Sequence, residues 1–130
     1  MSRINLTDTP EQIQQKIRKA RTDSDPLPGD AEGLEDRPEA RNLVGIYSAL
    51  GNKTPAQVCT EFDGAQFSTF KEALADLTIA ALAPITREMA RLLSDPGHIE
   101  QVLADGAARA RDLAAPILAE VHDVVGFLRT

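Results

Sequence analysis

Residues 66–93 read Q-F-S-T-F-K-E-A-L-A-D-L-T-I-A-A-L-A-P-I-T-R-E-M-A-R-L-L, and their spacing decides the fold. Phe67, Phe70, Leu74, Leu77, Ala81, Ile85, Met89 and Leu92 recur at steps of three and four. That is the period of a helix with one apolar stripe, not the alternation of a strand. Pro84 has no N–H to give and its ring crowds the turn before it, so a kink or break is expected near residues 80–83. The same pattern continues downstream. Asp95-Pro96 caps a fifth helix reaching about Leu128 unless Pro116 kinks it, with Ile99, Val102, Leu103, Ala110, Leu113, Ile117, Val121, Val125 and Leu128 on its stripe.

Upstream, Thr54-Pro55 starts a short third helix carrying Val58, Cys59 and Phe62, ended by Asp63-Gly64. A second helix runs from Pro38 to about Leu50, with Leu43, Ile46, Tyr47 and Leu50 buried and Gly51 as a left-handed stop. The first helix has Thr9 or Asp8 as its cap, Pro10 as its first residue and Gln12 completing the signal; Ile13, Ile17 and Ala20 share one face. Between the first two helices, residues 24–37 (S-D-P-L-P-G-D-A-E-G-L-E-D-R) hold two prolines, two glycines and five acids. They are expected to form an exposed acidic loop. The reading is all-α, an antiparallel helical bundle of about five helices in one domain of residues 1–130, with kinks near Pro84 and Pro116.

Composition narrows the function. The chain has 130 residues, 42% hydrophobic, 26% charged and only 4% aromatic, as an ordinary globular helical protein does. Its net charge of −6 argues against a nucleic-acid coat or a membrane-surface protein, whose whole field is basic. Cys59 is the only cysteine, so no internal disulfide forms, and no apolar run approaches the roughly 18 residues that span a bilayer. A cytoplasmic protein with no membrane partner is expected.

Catalytic and metal-binding patterns are missing from the sequence. His98 and His122, both on the fifth helix, lie 24 residues and roughly 36 Å apart along its axis, too far to share a metal or a dyad. Asp23 and Asp25 suggest a calcium loop, but Gly29 sits one place late and Leu34 stands where a bidentate Glu is needed. There is no Gly-rich phosphate loop and no zinc spacing. Cys59 reads as a buried, inert thiol, and Phe67 and Phe70 as core rather than base-stacking platforms. No metal, cofactor or catalytic residue is assigned.

One feature stands apart. Lys16, Arg18, Lys19 and Arg21 gather at the end of the first helix, followed by six acids and no base from Asp23 to Asp36. The plain reading is a solvated helix end whose cations suit the dipole. The functional reading is a phosphate-binding spot, because Lys and Arg give salt-sensitive affinity for a nucleic-acid backbone.

Several segments, in order, resemble tryptophan–tRNA ligase, the bacterial class I aminoacyl-tRNA synthetase for tryptophan. They are Ile4-Asn5-Leu6-Thr7-Asp8; Lys16-Ile17-x-x-Ala20-x-Thr22-Asp23-Ser24; Arg37-Pro38-Glu39-Ala40-x-Asn42-Leu43-x-x-Ile46-Tyr47; Gly64-Ala65-Gln66-Phe67-x-x-Phe70-Lys71; Leu82-Ala83-Pro84-Ile85; Leu103-x-x-Gly106-Ala107-x-x-Ala110; and Val125-Gly126-Phe127. The family's H-I-G-H-like and K-M-S-K-S motifs do not occur in these residues. The resemblance therefore implies the C-terminal helical region alone, with residues 1–9 as a lead-in after an absent catalytic domain. The sequence departs from the pattern at Asp36 and Arg41, where glycine and an acid are expected, so no role for that loop's charge is carried over.

The resemblance implies a domain that binds the anticodon end of the tRNA for tryptophan. Carried onto this sequence, Arg21, Thr22, Asp23 and Ser24 would contact bases, and Lys16 and Lys19 would meet phosphates. ATP would be held by the catalytic domain of the same enzyme, whose parent forms a homodimer, and these residues alone would be inactive. The competing expectation is a freestanding helical protein-interaction module derived from a synthetase tail.

Overall fold

The computed structural model describes residues 3–126. It is all-α: the helices are α1 (Pro10–Arg18), α2 (Pro38–Gly51), α3 (Pro55–Glu61), α4 (Phe67–Leu93) and α5 (Pro96–Val125), with one 3-10 turn at Glu32–Leu34 and no strand among the described residues. Leu128 and Phe127 lie outside the described residues. The chain divides into two compact units, residues 1–89 and 90–130.

Local chemistry accounts for the helix starts. Thr9, not Asp8, caps α1: its Oγ1 accepts from the Gln12 N–H at 3.3 Å, and Gln12 Oε1 accepts from the Thr9 N–H at 2.9 Å. Thr54 and Gln57 form the same box on α3. Asp95 caps α5 by accepting from the His98 N–H at 3.1 Å. Both α4 and α5 continue through Pro84 and Pro116 as single helices.

The core of the first unit is an aromatic cluster wrapped in aliphatic side chains. Phe70 lies 5.0 Å from Phe62, 5.6 Å from Tyr47 and 6.5 Å from Phe67, centroid to centroid, with edge-on geometry in two of the three pairs. Ile13 and Ile17 of α1, Ala40, Leu43 and Val44 of α2, Val58 and Cys59 of α3, and Leu74 and Ala75 of α4 close around it. Cys59 is wholly buried, and burial pushes its thiol pKa up, which removes the thiolate needed for reactivity.

Four expectations need correction. The acidic segment 24–37 is not simply exposed: Leu27 and Leu34 are both core residues. The Leu27 N–H donates to Ala65 O at 2.9 Å and Leu27 O accepts from the Gly64 N–H at 3.0 Å, so backbone pairing pins the segment. Gly64 makes this close turn at φ +69, where a side chain is strained. In α2, Val44 is buried while Ile46 is exposed, because the buried face is set by α3 and the aromatic cluster. The left-handed residue after α2 is Asn52, not Gly51; Asn tolerates that conformation, and Gly51 remains helical facing Leu77. Finally, the α5 stripe is exposed from Val102 to Val125, with Val102, Leu103, Leu113, Ile117, Val121 and Val125 all in solvent and Ile99 half-buried. The periodic pattern sorts residues onto one face, but among its described residues the second unit holds no other long helix to cover that face.

Candidate nucleic-acid interface

Helix α1 ends at Arg18, and Lys19 is its C-cap. The chain then turns through residues 20–26 to reach Leu27. Two cations from distant positions hold this corner. Lys71 of α4 donates to Ala20 O at 2.7 Å and to Thr22 Oγ1 at 3.0 Å, with its ammonium 6.0 Å from the Phe67 ring centroid. Burial lowers its pKa. Arg37 donates through Nε to Asp23 Oδ2 at 3.0 Å and through Nη2 to Asp23 Oδ1 at 2.5 Å. The same guanidinium donates to Pro26 O at 2.9 Å and Asp25 O at 2.9 Å and lies 5.7 Å from the Phe67 centroid. This is a bidentate carboxylate fork with two backbone carbonyls added. The Arg37 hydrogen bonds hold the Asp23 carboxyl below the usual carboxylate range, and Asp23 in turn raises Arg37.

The expected site residues fall into two groups. Lys16 is paired with Asp8, and its side chain is only 15% exposed, although it was expected in water. Asp8 also accepts from the Asn5 N–H at 2.7 Å; Lys16 first and this bond second hold its carboxyl below the usual range. Thr22 is half-buried under Lys71, and both Asp23 oxygens face Arg37. Lys19, Arg21 and Ser24 are exposed, as is Arg18. The Arg21 side chain is 89% exposed and only 3.7 Å from Glu39 at its closest polar approach. The structure thus brings the corner together but turns its cations in two directions.

Recesses flank the corner. One, of about 770 Å³, lies between α1 and the start of α4 and includes Gln15, Arg18, Thr22, Phe67 and Lys71. The other, of about 640 Å³, lies between the lead-in, the end of α1 and α2; Arg3, Lys19, Arg21, Glu39 and Asn42 edge it, over Ile17, Leu43 and Ile46. Among the described residues, no three or more His, Cys, Asp or Glu side chains gather to hold a metal. None of the described helices is long and apolar enough to cross a membrane.

Sequence reasoning missed Arg37 and Lys71 as organisers of the corner. Their partners are 11–14 and 49–51 residues away, so no local pattern signals them. Both do lie within the quoted family segments.

Comparison with known proteins fits this arrangement into a lineage. No family model matches the chain. It is 56% identical over 129 residues to a tryptophan–tRNA ligase of Agrobacterium fabrum, a match covering 99% of this chain. It is 54% identical to that of Rhizobium meliloti over the same share, and 39% identical to that of a Synechocystis strain over 98% of its length. By sequence, the chain is related to the tryptophan–tRNA ligases. It spans about 36% of the length of the first two relatives. The tryptophan–tRNA ligase likeness therefore extends over both units, including the corner and the exposed α5 stripe.

Proposed function

We propose that this chain is the anticodon-binding helical region of a tryptophan–tRNA ligase, which joins tryptophan to its tRNA using ATP. In that reading ATP and tryptophan are bound by the catalytic domain, the whole enzyme works in the cytoplasm as a homodimer, and these residues contribute tRNA binding alone. The observation that carries it is the set of exposed cations Arg18, Lys19 and Arg21 around a braced corner, in a chain of net charge −6. Phosphates are met by Lys19 and the neighbouring Arg18, with Arg21 long enough to serve a phosphate as well as a base; Lys16 reaches one only at the expense of its Asp8 pair. Arg21, Thr22, Asp23 and Ser24 face the bases. Arg21 and Ser24 are free to donate, while Thr22 and Asp23 offer whatever acceptor capacity Lys71 and Arg37 leave.

The test is binding of the tRNA for tryptophan against another tRNA at moderate salt. Preference for the former supports the reading; equal affinity, or none even at low salt, contradicts it. The chain on its own neither activates tryptophan with ATP nor charges tRNA, and detectable pyrophosphate exchange would overturn that.

The exposed α5 stripe favours a second reading, a freestanding helical protein-interaction module derived from a synthetase tail. The DNA upstream discriminates between them: an in-frame K-M-S-K-S supports the enzyme, and a stop codon with its own ribosome site supports the module.

A further inference from the structure

The recess between the lead-in, the end of α1 and α2 combines two kinds of surface. Its floor is apolar: Ile17 and Leu43 are core residues and Ile46 stands 39% exposed at the mouth. Its edge is polar, with Arg21 and Lys19 on one side and Glu39 and Asn42 on the other. Glu39 and Asn42 are three residues apart on α2, so both side chains rise from one face.

We propose that this recess receives one unstacked base of a single-stranded RNA loop, with Asn42 and Glu39 meeting the base edge and Lys19 and Arg21 the flanking phosphates. The proposal rests on the RNA-binding reading above and adds a base-reading site on α2 to the one at Thr22–Ser24. A base needs cover for its apolar faces and partners for its edge, and an unstacked loop base presents both at once. The volume of about 640 Å³ accommodates a nucleobase with its sugar. The Asn42 amide offers two donors and an acceptor, and the Glu39 carboxylate accepts from a ring N–H or an exocyclic amine.

Charge complementarity selects the occupant. Three exposed cations (Arg3, Lys19 and Arg21) against one acid edge this recess in a chain of net charge −6, Lys16 beside them being paired with Asp8. An apolar peptide would cover the floor and leave those cations unmatched, whereas a nucleotide meets floor and edge together. The Arg21–Glu39 contact at 3.7 Å is beyond hydrogen-bonding distance and solvent-exposed, so separating it costs little. When Arg21 turns to a phosphate, Glu39 becomes available to a base.

The experiment measures binding of the full chain, at low salt, to a stem–loop RNA carrying the tryptophan anticodon and to a blunt duplex of the same stem. The variants are Asn42→Ala, Ile46→Trp to fill the recess, Glu39→Gln and, as a phosphate control, Lys19→Ala. All four positions lie at the protein surface, and circular dichroism verifies that the helices persist. Asn42→Ala and Ile46→Trp are each expected to weaken stem–loop binding at least fivefold with an unchanged salt slope and no effect on the duplex; Glu39→Gln alters the preference among loop sequences. Lys19→Ala weakens both RNAs and flattens the slope by about one. Wild-type stem–loop affinity in Asn42→Ala and Ile46→Trp, alongside weakened binding in Lys19→Ala, overturns the recess and leaves the RNA-binding reading standing. Absence of RNA binding by the wild-type chain overturns both.

Discussion

The inner and outer faces of the corner after α1 carry the same residue types and use them differently. On the inner face Lys16, Arg37 and Lys71 are each committed to protein oxygens: Asp8, then Asp23 with two carbonyls, then Ala20 O and Thr22. On the outer face Arg18 and Lys19 stand exposed to water, and Arg21 meets only a loose carboxylate. A cation surrounded by protein acceptors has exchanged its hydration for fixed partners and braces the backbone; one left hydrated remains available to an anion from outside. Charge density in the sequence therefore marks a place, and the third dimension decides which of its charges are structural.

That division predicts a graded series of effects. Arg37→Ala removes a fork with four acceptors and should cost roughly 2 kcal/mol of unfolding free energy, seen as a clear fall in urea midpoint; an unchanged midpoint would mean the corner is held without it. Lys71→Met keeps the length of the side chain and loses two hydrogen bonds, for roughly 1 kcal/mol. The Asp23 carboxyl is depressed in the folded state, so its contribution is complete above the ordinary Asp pKa of about 3.9 and is lost as pH falls through the lower folded value. Acid melting of Asp23→Asn should accordingly lose less stability than the wild type below pH ~4. On the outer face, Arg18→Ala and Lys19→Ala should each change stability by less than about 0.5 kcal/mol. The smallest effect belongs to Leu113→Gln on the exposed α5 stripe: no loss of stability in this chain, where a drop of more than about 1 kcal/mol would mean the stripe is covered.

The fold was largely legible because its signals are local. The stripe beginning at Phe67 located α4 within a residue of its true start, and the Thr-Pro starts of α1 and α3 were read from adjacent residues. Burial was legible only where a partner follows from the pattern. Phe70 and Leu74 sit in the core, whereas Ile85 on the same stripe is 46% exposed, and Leu113 of α5 is 76% exposed. Periodicity names the face and is silent about what covers it. Leu27 and Leu34 failed for the opposite reason: each is alone among prolines, glycines and acids, and Leu27 is held in the core by backbone pairing with Gly64 and Ala65, over 30 residues away. The candidate site was half legible. Its cations were visible as a cluster, but the pairing of Lys16 with Asp8 and the long-range clamps of Arg37 and Lys71 required the folded chain.

The direct test of this division is the salt dependence of binding to the tRNA for tryptophan, compared between Arg18→Ala/Lys19→Ala/Arg21→Ala and Lys16→Ala. Losing the outer three should reduce the log–log salt slope by about two units and weaken binding severely, while losing Lys16 leaves the slope within about half a unit of wild type. A slope that falls with Lys16 and is indifferent to the outer three would contradict the account.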